Sequence, residues 1–270
     1  MNNGDGADLS ALTHFLLDMD GTVYLGPHPI DGAAAFIAYL RESGRRFLFF
    51  TNNPTRDAGQ YARKLQGMGI PAGPDDVLTS GEATVRYLLT ETPHRRVFAV
   101  APPSFEAELR GAGIETVEEN PEVVVLAFDT TLTYAKLERA CLLLAEGFPY
   151  IATNPDRVCP TEYGYIPDCG AMAALIESAT GRVPTFIGKP NAAMARMGMD
   201  KIGATAGTAA MVGDRLYTDM EMAHRAGIAS ILVLSGESTQ VDVDAADRAP
   251  DRVFRSVREL TEALRAADAG

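Results

Sequence analysis

The sequence predicts an α/β protein whose core is a doubly wound parallel sheet with helices on both faces. Short apolar runs alternate with amphipathic segments along most of the chain, a rhythm typical of such sheets. The runs "HFLLD" and "RRFLFFT" read as buried strands. Between them, "DGAAAFIAYLRESG" reads as a helix, because Asp31 lies near its start and Gly44 just past its end.

The remaining elements continue the same alternation. The next elements in chain order are a helix in "TRDAGQYARKLQGMG", a strand in "DDVLTS" and a helix in "GEATVRYLLTETP". Three strand-helix pairs follow, in "RVFAV" and "SFEAELRGAG", in "EVVVLAF" and "YAKLERACLLLAEG", and in "PYIAT" and "GAMAALIESATG". The series ends with a strand entering a loop in "PTFIGKP", and with a strand, loop, helix and strand in "AAMVGDRLYTDMEMAHRAGIASILVLSG". The acidic stretch "STQVDVDAADRAPD" is predicted to be a surface loop. The pattern fits one long sheet and equally a core interrupted by an inserted domain.

Length and charge narrow the class of protein. A chain of 270 residues exceeds the size at which one core usually keeps growing, so one large or two modest domains are expected. The formal net charge of -12 argues against nucleic acid polymers and anionic membranes as partners, because both require a basic surface. A small phosphorylated substrate stays compatible, since one local cation can outweigh the global charge.

Cysteine and histidine usage points to a reduced compartment. Three cysteines without close pairing argue against a disulfide scaffold, and four scattered histidines without a Cys-x-x-Cys motif argue against zinc. The polar N-terminus "MNNGDGADLS" has neither the basic segment nor the apolar core of a signal peptide. No apolar run approaches the roughly 20 residues that span a bilayer. We therefore expect a cytoplasmic protein.

Two carboxylates, Asp18 and Asp20, follow the first apolar strand in "FLLDMDGTVYLG". Like charges at this spacing repel each other unless a cation lies nearby, so the pattern favours a metal site or an acid/base pair. Three further polar clusters also follow predicted strands: Thr51–Asn53, Gly188–Pro190, and "GDRLYTD" with Asp214 and Asp219. Because ligands of such sheets bind beyond the carboxyl ends of the strands, we expect the clusters to meet at one site.

This set of side chains suits phosphoryl transfer. Carboxylate oxygens are ligands that Mg²⁺ prefers, and a carboxylate can attack phosphorus to give an aspartyl-phosphate. The phosphoryl oxygens then need hydrogen-bond donors and positive charge, which hydroxyl, amide and lysine groups supply. A neighbouring acid must protonate the leaving alkoxide and later activate water.

The four clusters, in this order, resemble the haloacid dehalogenase superfamily of phosphohydrolases. The motifs "DMDGTVYLG", "TNNP", "ATNPD", "GKP" and "GDRLYTD" are similar to its NagD-like branch, subfamily IIA, which includes 4-nitrophenylphosphatases and phosphoglycolate phosphatases. The resemblance runs from about Phe15 to Gly236 and covers most of the chain.

The resemblance implies a role for each motif residue. They are Asp18 as nucleophile and metal ligand, Asp20 as general acid/base with its backbone carbonyl on Mg²⁺, Thr51, Asn52 and Asn53 as phosphate-binding residues, Lys189 as the neutralising cation, Asp214 as metal ligand, and Asp219 as support for the metal shell. Taken alone, Thr51–Asn53 would also fit helix-capping or turn chemistry, and Lys189 an ordinary surface lysine.

The resemblance also implies an inserted α/β cap of the C2 type. It divides the chain into a Rossmann-like catalytic core, residues 1–80 and 183–270, and a cap, residues 81–182, with hinges at "TSGEAT" and "TGRVP". The cap would close over the site, exclude water and select the substrate.

Within the cap, the loop "NPDRVCPTEYGYIPDCG" has two interpretations. Asn154 and Asp156 would contact the leaving group of the substrate, or the loop would be an ordinary solvated one, and we favour the contact. For Asp168 a substrate contact and the capping of the next helix are equally favoured. Cys169, with no histidine near it in sequence, is predicted to be a buried structural cysteine, and the methionines of "MARMGM" to pack in a core or interface.

The sequence thus predicts a Mg²⁺-dependent phosphomonoesterase acting on a small metabolite such as a nucleotide, a sugar phosphate or a phosphoglycolate-like ester. A phosphotransferase or mutase using the same aspartyl-phosphate is the alternative enzyme, and a non-catalytic phospho-ligand sensor is the alternative without turnover. A dehalogenase is disfavoured, because Asp20 suits leaving-group protonation and has no role in halide loss. A homodimer through the cap is compatible with the sequence, which gives no signal for it.

Overall fold

The structure is a computed structural model, and it describes residues 7–161 and 164–269. The predicted features of Met1–Gly6, and Glu162 and Tyr163 of the cap loop, lie outside the described residues. None of the helices in these two ranges combines the length and the apolar character needed to cross a bilayer.

The described strands, in chain order, are β1 (His14–Asp18), β2 (Tyr24–Leu25), β3 (His28–Pro29), β4 (Arg46–Thr51), β5 (Val77–Thr79), β6 (Arg96–Val100), β7 (Glu115–Thr116), β8 (Val123–Leu126), β9 (Tyr150–Ala152), β10 (Val158–Thr161), β11 (Gly164–Pro167), β12 (Thr185–Phe186), β13 (Ala209–Gly213), β14 (Ala229–Val233) and β15 (Arg252–Phe254). The α-helices are α1 (Ala33–Glu42), α2 (Ala58–Gly67), α3 (Ser80–Glu91), α4 (Pro103–Gly111), α5 (Tyr134–Ala145), α6 (Cys169–Thr180), α7 (Ala192–Ile202), α8 (Glu221–Ala226), α9 (Gln240–Asp244) and α10 (Val257–Asp268). Strands and helices alternate as the sequence predicts.

Contacts between residues divide the chain into two units. Unit 1 comprises the described part of Met1–Phe50, Ala58–Leu78, and Lys189 to the C-terminus. Unit 2 comprises Thr51–Asp57 and Thr79–Gly188. Unit 2 therefore includes the last residue of β4 and the six residues after it, which the predicted domain limits assign to the core.

Unit 1 is built on a six-stranded sheet in the order β15-β14-β13-β1-β4-β5. The pairings of β1 with β4 and β13, and of β14 with β13 and β15, are parallel. Strand β1 is central because its apolar residues Phe15–Leu17 are fully buried, which favours an inner strand covered on both faces. The parallel pairings bring the carboxyl ends of β1 and β13 to the same edge.

Unit 2 carries a parallel five-stranded sheet of its own, in the order β12-β9-β8-β6-β7. Its core lies between this sheet and the helices, and includes Phe98, Val124, Leu143 and Ile176. The strands β10 and β11 form a separate antiparallel hairpin with an exposed β11. Each unit therefore has its own sheet and its own hydrophobic core.

One local expectation is corrected by the structure. The stretch "STQVDVDAADRAPD", predicted to be a loop, contains the short helix α9, whose start is capped because Thr239 N donates to Asp242 Oδ2 at 2.8 Å. A threonine three residues before an acidic residue thus gives an N-cap that the loop interpretation overlooks. The segment "TSGEAT" forms the start of α3, where Thr79 Oγ1 accepts a hydrogen bond from Glu82 N at 3.0 Å, and its role as a hinge stays a prediction.

Glu108 in α4 gives unit 2 a pH-dependent stability. Burial, and then the charges of Glu82 and Asp57, raise the pKa of Glu108 from 4.5 to about 7. Between these values the folded protein holds a proton that the unfolded chain releases, so stability falls as the pH rises through this window.

We therefore expect Glu108→Gln to raise the unfolding temperature at pH 8 by about 5 °C, equivalent to about 2 kcal/mol, and to change it little at pH 5. Thermal unfolding of wild type and variant at both pH values measures this. Glu177→Gln, at an exposed position of α6, is the matched control and should leave both temperatures unchanged. Equal stabilisation at both pH values would contradict the prediction.

Candidate active site

The first component of the site is the loop after β1. The buried strand ends at Asp18, which is only 8% exposed, and the chain then turns sharply. In this turn Val23 N donates to Met19 O at 2.8 Å, and Gly21 has a φ of +92°. A Cβ at Gly21 would overlap the carboxylate of Asp214, so only glycine permits this approach.

Lys189 lies between two of the predicted carboxylates. Its ammonium group donates to Asp18 Oδ1, and Asp219 Oδ1 lies 2.8 Å from its Nζ. Burial by itself would lower the pKa of Lys189, but the negative charges of Asp18 and Asp219 outweigh burial and raise it. Lys189 is therefore a buried, permanently charged lysine, which excludes the surface-lysine interpretation.

Asp214 and Asp219 follow β13, where the chain forms a five-residue π-helix over Leu216–Met220. Arg215 N donates to Asp219 Oδ2 at 3.1 Å, which fixes that carboxylate. Asp214 and Asp219 are both buried, at 2% and 0% exposure. Burial, and after it the charges of neighbouring carboxylates, raise the pKa of Asp214. The folded protein therefore resists carrying all these negative charges unless a cation offsets them.

Three carboxylates converge on a space that could hold a metal ion. Asp18, Asp214 and Asp219 each offer one oxygen, and these oxygens lie within 4.8 Å of one another. Asp214 Oδ1 is buried and has no hydrogen-bond partner within residues 7–161 and 164–269. A buried, unpartnered carboxylate oxygen beside two others is the donor set that a hard divalent cation such as Mg²⁺ prefers.

Asp20 lies beside this cluster, and its carboxylate is not one of the three converging groups. Burial is the main cause that raises the pKa of Asp20, and the charge of Asp18 adds to it. The positive charges of Lys64 and Arg215 act in the opposite direction. A half-buried carboxyl with a raised pKa can exchange a proton with a reacting group more readily than a solvated one.

A fifth loop, Ser235–Ser238 after β14, completes the surroundings of Asp214 and was not predicted as part of the site. Glu237 N donates to Asp214 Oδ2 at 2.7 Å, and Ser238 N donates to Asp214 O at 3.2 Å. Ser235 Oγ donates to Gly21 O at 2.7 Å, which joins this loop to the loop after β1. The available signal was its position, because "SGES" follows a buried strand just as the four motifs do.

Arg215 is a further residue of the site that the sequence did not predict. Its Nε lies 2.9 Å from Glu237 Oε2, and Tyr217 donates from its hydroxyl to Glu237 Oε1 at 2.7 Å. Burial opposes the charge of Arg215, but Asp18 and the other nearby acidic groups outweigh burial and raise its pKa. The signal in the sequence was its place next to Asp214 in "GDRLYTD".

The other predicted site residues come together in unit 2. Asn52 Nδ2 donates to Asp156 Oδ1 at 3.2 Å, and Asn154 Nδ2 donates to Asn52 O at 2.7 Å. Asn53 shows the turn chemistry considered above, since its Oδ1 accepts from Thr55 N at 2.9 Å and its N donates to Thr51 Oγ1 at 3.1 Å. Their predicted contact with phosphate or substrate stays a prediction.

The alternatives for the end of the cap loop are resolved. Asp168 caps α6, because its Oδ1 accepts a hydrogen bond from Cys169 N. Cys169 is fully buried, and burial raises the pKa of its thiol to about 12, which confirms a structural cysteine. The methionines Met194, Met197 and Met199 are buried, which confirms a packing role.

Comparison with known proteins identifies relatives over nearly the whole chain. Residues 15–115 match the family model described as haloacid dehalogenase-like hydrolase, and residues 186–260 match one described as HAD-hydrolase-like. An acid sugar phosphatase from Staphylococcus epidermidis is 36% identical over 244 residues, which cover 90% of this chain and 94% of that protein.

Solved structures agree with these relatives. A 4-nitrophenylphosphatase from Thermotoga maritima shares 44% identity with a TM-score of 0.91, covering 95% of this chain and 98% of the other. A glycerol phosphate phosphatase from Mycobacterium tuberculosis, solved in complex with magnesium, shares 32% identity with a TM-score of 0.88, covering 96% and 80%.

The unpartnered oxygen of Asp214 leads to a testable expectation. In EDTA, Asp214→Asn should raise the unfolding temperature by about 3 °C, because it removes a buried carboxyl whose Oδ1 has no hydrogen-bond partner among the described residues. Adding Mg²⁺ should raise the unfolding temperature of wild type and leave that of Asp214→Asn nearly unchanged.

Asp219→Asn is the contrasting variant and should melt below wild type in EDTA, because Asp219 pairs with the buried Lys189. Thermal unfolding with and without Mg²⁺ measures all three proteins. If Asp214→Asn unfolded at a lower temperature than wild type in EDTA, the Asp214 carboxyl would stabilise the metal-free fold, and the prediction would be wrong.

Proposed function

The chain belongs to the haloacid dehalogenase-like hydrolases, in their NagD-like branch, and is a phosphatase; from this premise we propose that it hydrolyses small phosphate monoesters through an aspartyl-phosphate on Asp18. One observation carries the proposal: Asp18, at the end of a buried strand, is held by the ammonium group of Lys189 beside two further carboxylates. This arrangement orients the Asp18 carboxyl and pairs it with a cation, as a carboxylate nucleophile requires.

In the first step, a carboxylate oxygen of Asp18 forms a bond to phosphorus, and the bond between phosphorus and the ester oxygen breaks. Asp20 gives its proton to the departing oxygen, so the alcohol leaves neutral. The raised pKa of Asp20 supports this role, because it increases the fraction of the carboxyl that carries a proton. The products of the step are the alcohol and an acyl phosphate on Asp18.

In the second step, the ionised Asp20 takes a proton from a water molecule, whose oxygen attacks the phosphorus. The bond between phosphorus and Asp18 breaks, which restores the carboxylate and releases inorganic phosphate. Lys189 stays charged throughout, because its pKa is raised above the ordinary lysine value. Its ammonium group therefore offsets negative charge on Asp18 and on the phosphoryl oxygens in both steps.

We assign Mg²⁺ to the space between Asp18, Asp214 and Asp219, with Asp20 contributing its backbone carbonyl as the resemblance implies. The unpartnered Oδ1 of Asp214 supports this assignment, as does the magnesium complex of the mycobacterial relative. When bound, the ion would neutralise charge that develops on the phosphoryl oxygens.

We assign phosphate binding to Thr51, Asn52 and Asn53. The position of Thr51 in its strand supports this, because Thr51 is the last residue of β4. Ligands of parallel sheets bind at the carboxyl ends of strands.

Unit 2 corresponds in this proposal to the inserted cap, residues 81–182 by the predicted limits. The relatives act, by their names, on sugar phosphate, 4-nitrophenyl phosphate and glycerol phosphate. We propose a substrate of the same kind, a small phosphorylated polyol or sugar. The cytoplasmic location stays a prediction, and a homodimer through the cap stays compatible with the sequence.

The direct test is phosphate release from a panel of esters: a sugar phosphate, glycerol phosphate, a nucleotide and 4-nitrophenyl phosphate. We expect release with Mg²⁺ and none with EDTA. Transfer of the phosphoryl group to added glycerol without release would favour the phosphotransferase, and binding of esters without turnover would favour the sensor. Release that is insensitive to EDTA would contradict the metal assignment.

Substitution of the two motif carboxylates separates their roles. Asp18→Asn should abolish turnover of every ester, because the amide cannot act as the nucleophile. Asp20→Asn should release about one nitrophenolate per enzyme and then stall, because nitrophenolate leaves without a proton whereas water attack needs the base.

Rapid-mixing absorbance with 4-nitrophenyl phosphate measures this burst. The same Asp20→Asn protein should show no burst with an alkyl phosphate, whose leaving group does require a proton. Sustained turnover by either variant at a rate near wild type would contradict the assigned role.

A substitution at Gly236 tests whether the Ser235–Ser238 loop positions the carboxylate of Asp214. A Cβ at Gly236 would overlap Asp214 Oδ2, so Gly236→Ala should displace that carboxylate, reduce kcat about 100-fold, and weaken activation by Mg²⁺ about 10-fold or more. Steady-state kinetics over a Mg²⁺ titration measures both effects.

Gly207→Ala is the matched control, because a Cβ there meets no atom within 4 Å. Its kcat and Mg²⁺ dependence should equal those of wild type. Equal behaviour of Gly236→Ala and wild type would show that this loop does not position Asp214.

A further inference from the structure

The side chain of Asn154, which follows β9, forms hydrogen bonds through both its nitrogen and its oxygen within unit 2. Its Nδ2 donates to the backbone oxygen of Asn52 at 2.7 Å, and its Oδ1 accepts from Asp156 N at 3.0 Å. The residue is fully buried, with 0% exposure. Because the Asn154 side chain has no exposed surface, a substrate atom could reach its second N–H or second lone pair only if the surrounding residues moved.

Asn52 is held from several sides at once. Its backbone oxygen accepts from Asn154 and from Ser80 Oγ, the latter at 2.5 Å, and its side-chain nitrogen donates to Asp156 Oδ1 at 3.2 Å. Close packing adds to this, because a Cβ at Gly188 would lie 2.6 Å from Asn52 Oδ1. Asn52 is consequently fixed in both its backbone and its side chain.

The segment that provides these contacts is itself anchored to α6. Gly170 N donates to Asp156 O at 2.7 Å, and Asp168 N donates to Arg157 O at 3.1 Å. A Cβ at Gly170 would overlap the backbone oxygen of Pro155, so the start of α6 approaches the segment as closely as glycine allows. The segment that carries Asn154 and Asp156 is thus hydrogen-bonded to, and closely packed against, the start of α6.

We propose that Asn154 and Asp156 are positioning residues that fix the phosphate-binding segment Thr51–Asn53, and that they do not contact the leaving group. The proposal rests on the proposed function for the role of that segment, and it replaces the leaving-group contact expected from the sequence. Because the phosphoryl group is common to all esters, a residue that acts through this segment affects all of them alike. A contact to the leaving group would affect each ester differently.

The kinetic test compares Asn154→Ala, Asp156→Ala and Asp156→Asn on 4-nitrophenyl phosphate, glycerol phosphate and a sugar phosphate, with inorganic phosphate as inhibitor. Both alanine variants should lower kcat/KM about 10- to 100-fold, by the same factor for each ester, and should weaken inhibition by phosphate in parallel. Asp156→Asn should retain most activity, because its amide oxygen still accepts the hydrogen bond from Asn52.

A loss confined to some esters, with inhibition by phosphate unchanged, would overturn the proposal in favour of a leaving-group contact. So would a loss in Asp156→Asn as large as that in Asp156→Ala, because the role would then require the charge. Glu177→Gln, exposed on α6, is the control and should behave as wild type.

A second measurement is independent of turnover. Hydrogen exchange of the peptide covering residues 51–57 should be faster in Asn154→Ala and Asp156→Ala than in wild type, while peptides of the β6–β8 core exchange at unchanged rates. Unchanged exchange at 51–57 would overturn the positioning role even if the variants were inactive. An inactive wild type would overturn the proposed function and leave this measurement valid.

Discussion

The site in unit 1 depends on one buried cation, the ammonium group of Lys189 between Asp18 and Asp219. Removing an ammonium group from water is costly, and only the two carboxylates make its burial tolerable. Lys189 in turn offsets only part of the negative charge, because Asp214 adds a third buried carboxylate. Burial beside these acidic groups raises the pKa of Asp214, and a divalent cation would offset the excess of carboxyl groups over ammonium.

The carboxylates can converge because the backbone approaches them without side chains. Gly21 and Gly236 lie in the loops after β1 and β14, Gly213 is the last residue of β13, and a Cβ on any of them would overlap Asp214 or Asp219. The parallel strands β1, β13 and β14 end at the same edge of the sheet, so these three segments meet there. Sheet topology thus brings the three segments together, and glycine lets their backbones approach the carboxylates more closely than a residue with a Cβ could.

The sequence predicted the strand-helix alternation, the family and the motif residues, because each motif follows an apolar run. Asp18, Lys189, Asp214 and Asp219 do meet, as expected of residues at one sheet edge. It did not predict the Ser235–Ser238 loop, whose contacts to Asp214 come mainly from backbone amides that any residue carries. Which side chains pair across more than a hundred residues, as Asn52 and Asp156 do, is likewise set by tertiary packing.

The two groups of predicted site residues differ in how their polar atoms are used. In the described part of unit 1, Oδ1 of Asp214 has no hydrogen-bond partner, so it can bind a ligand. The pKa of the half-buried Asp20 is raised, so its carboxyl can exchange a proton. In unit 2, both polar atoms of the Asn154 side chain are already hydrogen-bonded, and the residue is buried. A side chain that takes part in a reaction needs polar atoms that are free to bind a ligand or exchange a proton. Buried polar atoms that are already hydrogen-bonded instead stabilise a conformation. This difference supports the two proposals, that reaction chemistry belongs to residues of unit 1 and that Asn154 in unit 2 positions the segment proposed to bind phosphate.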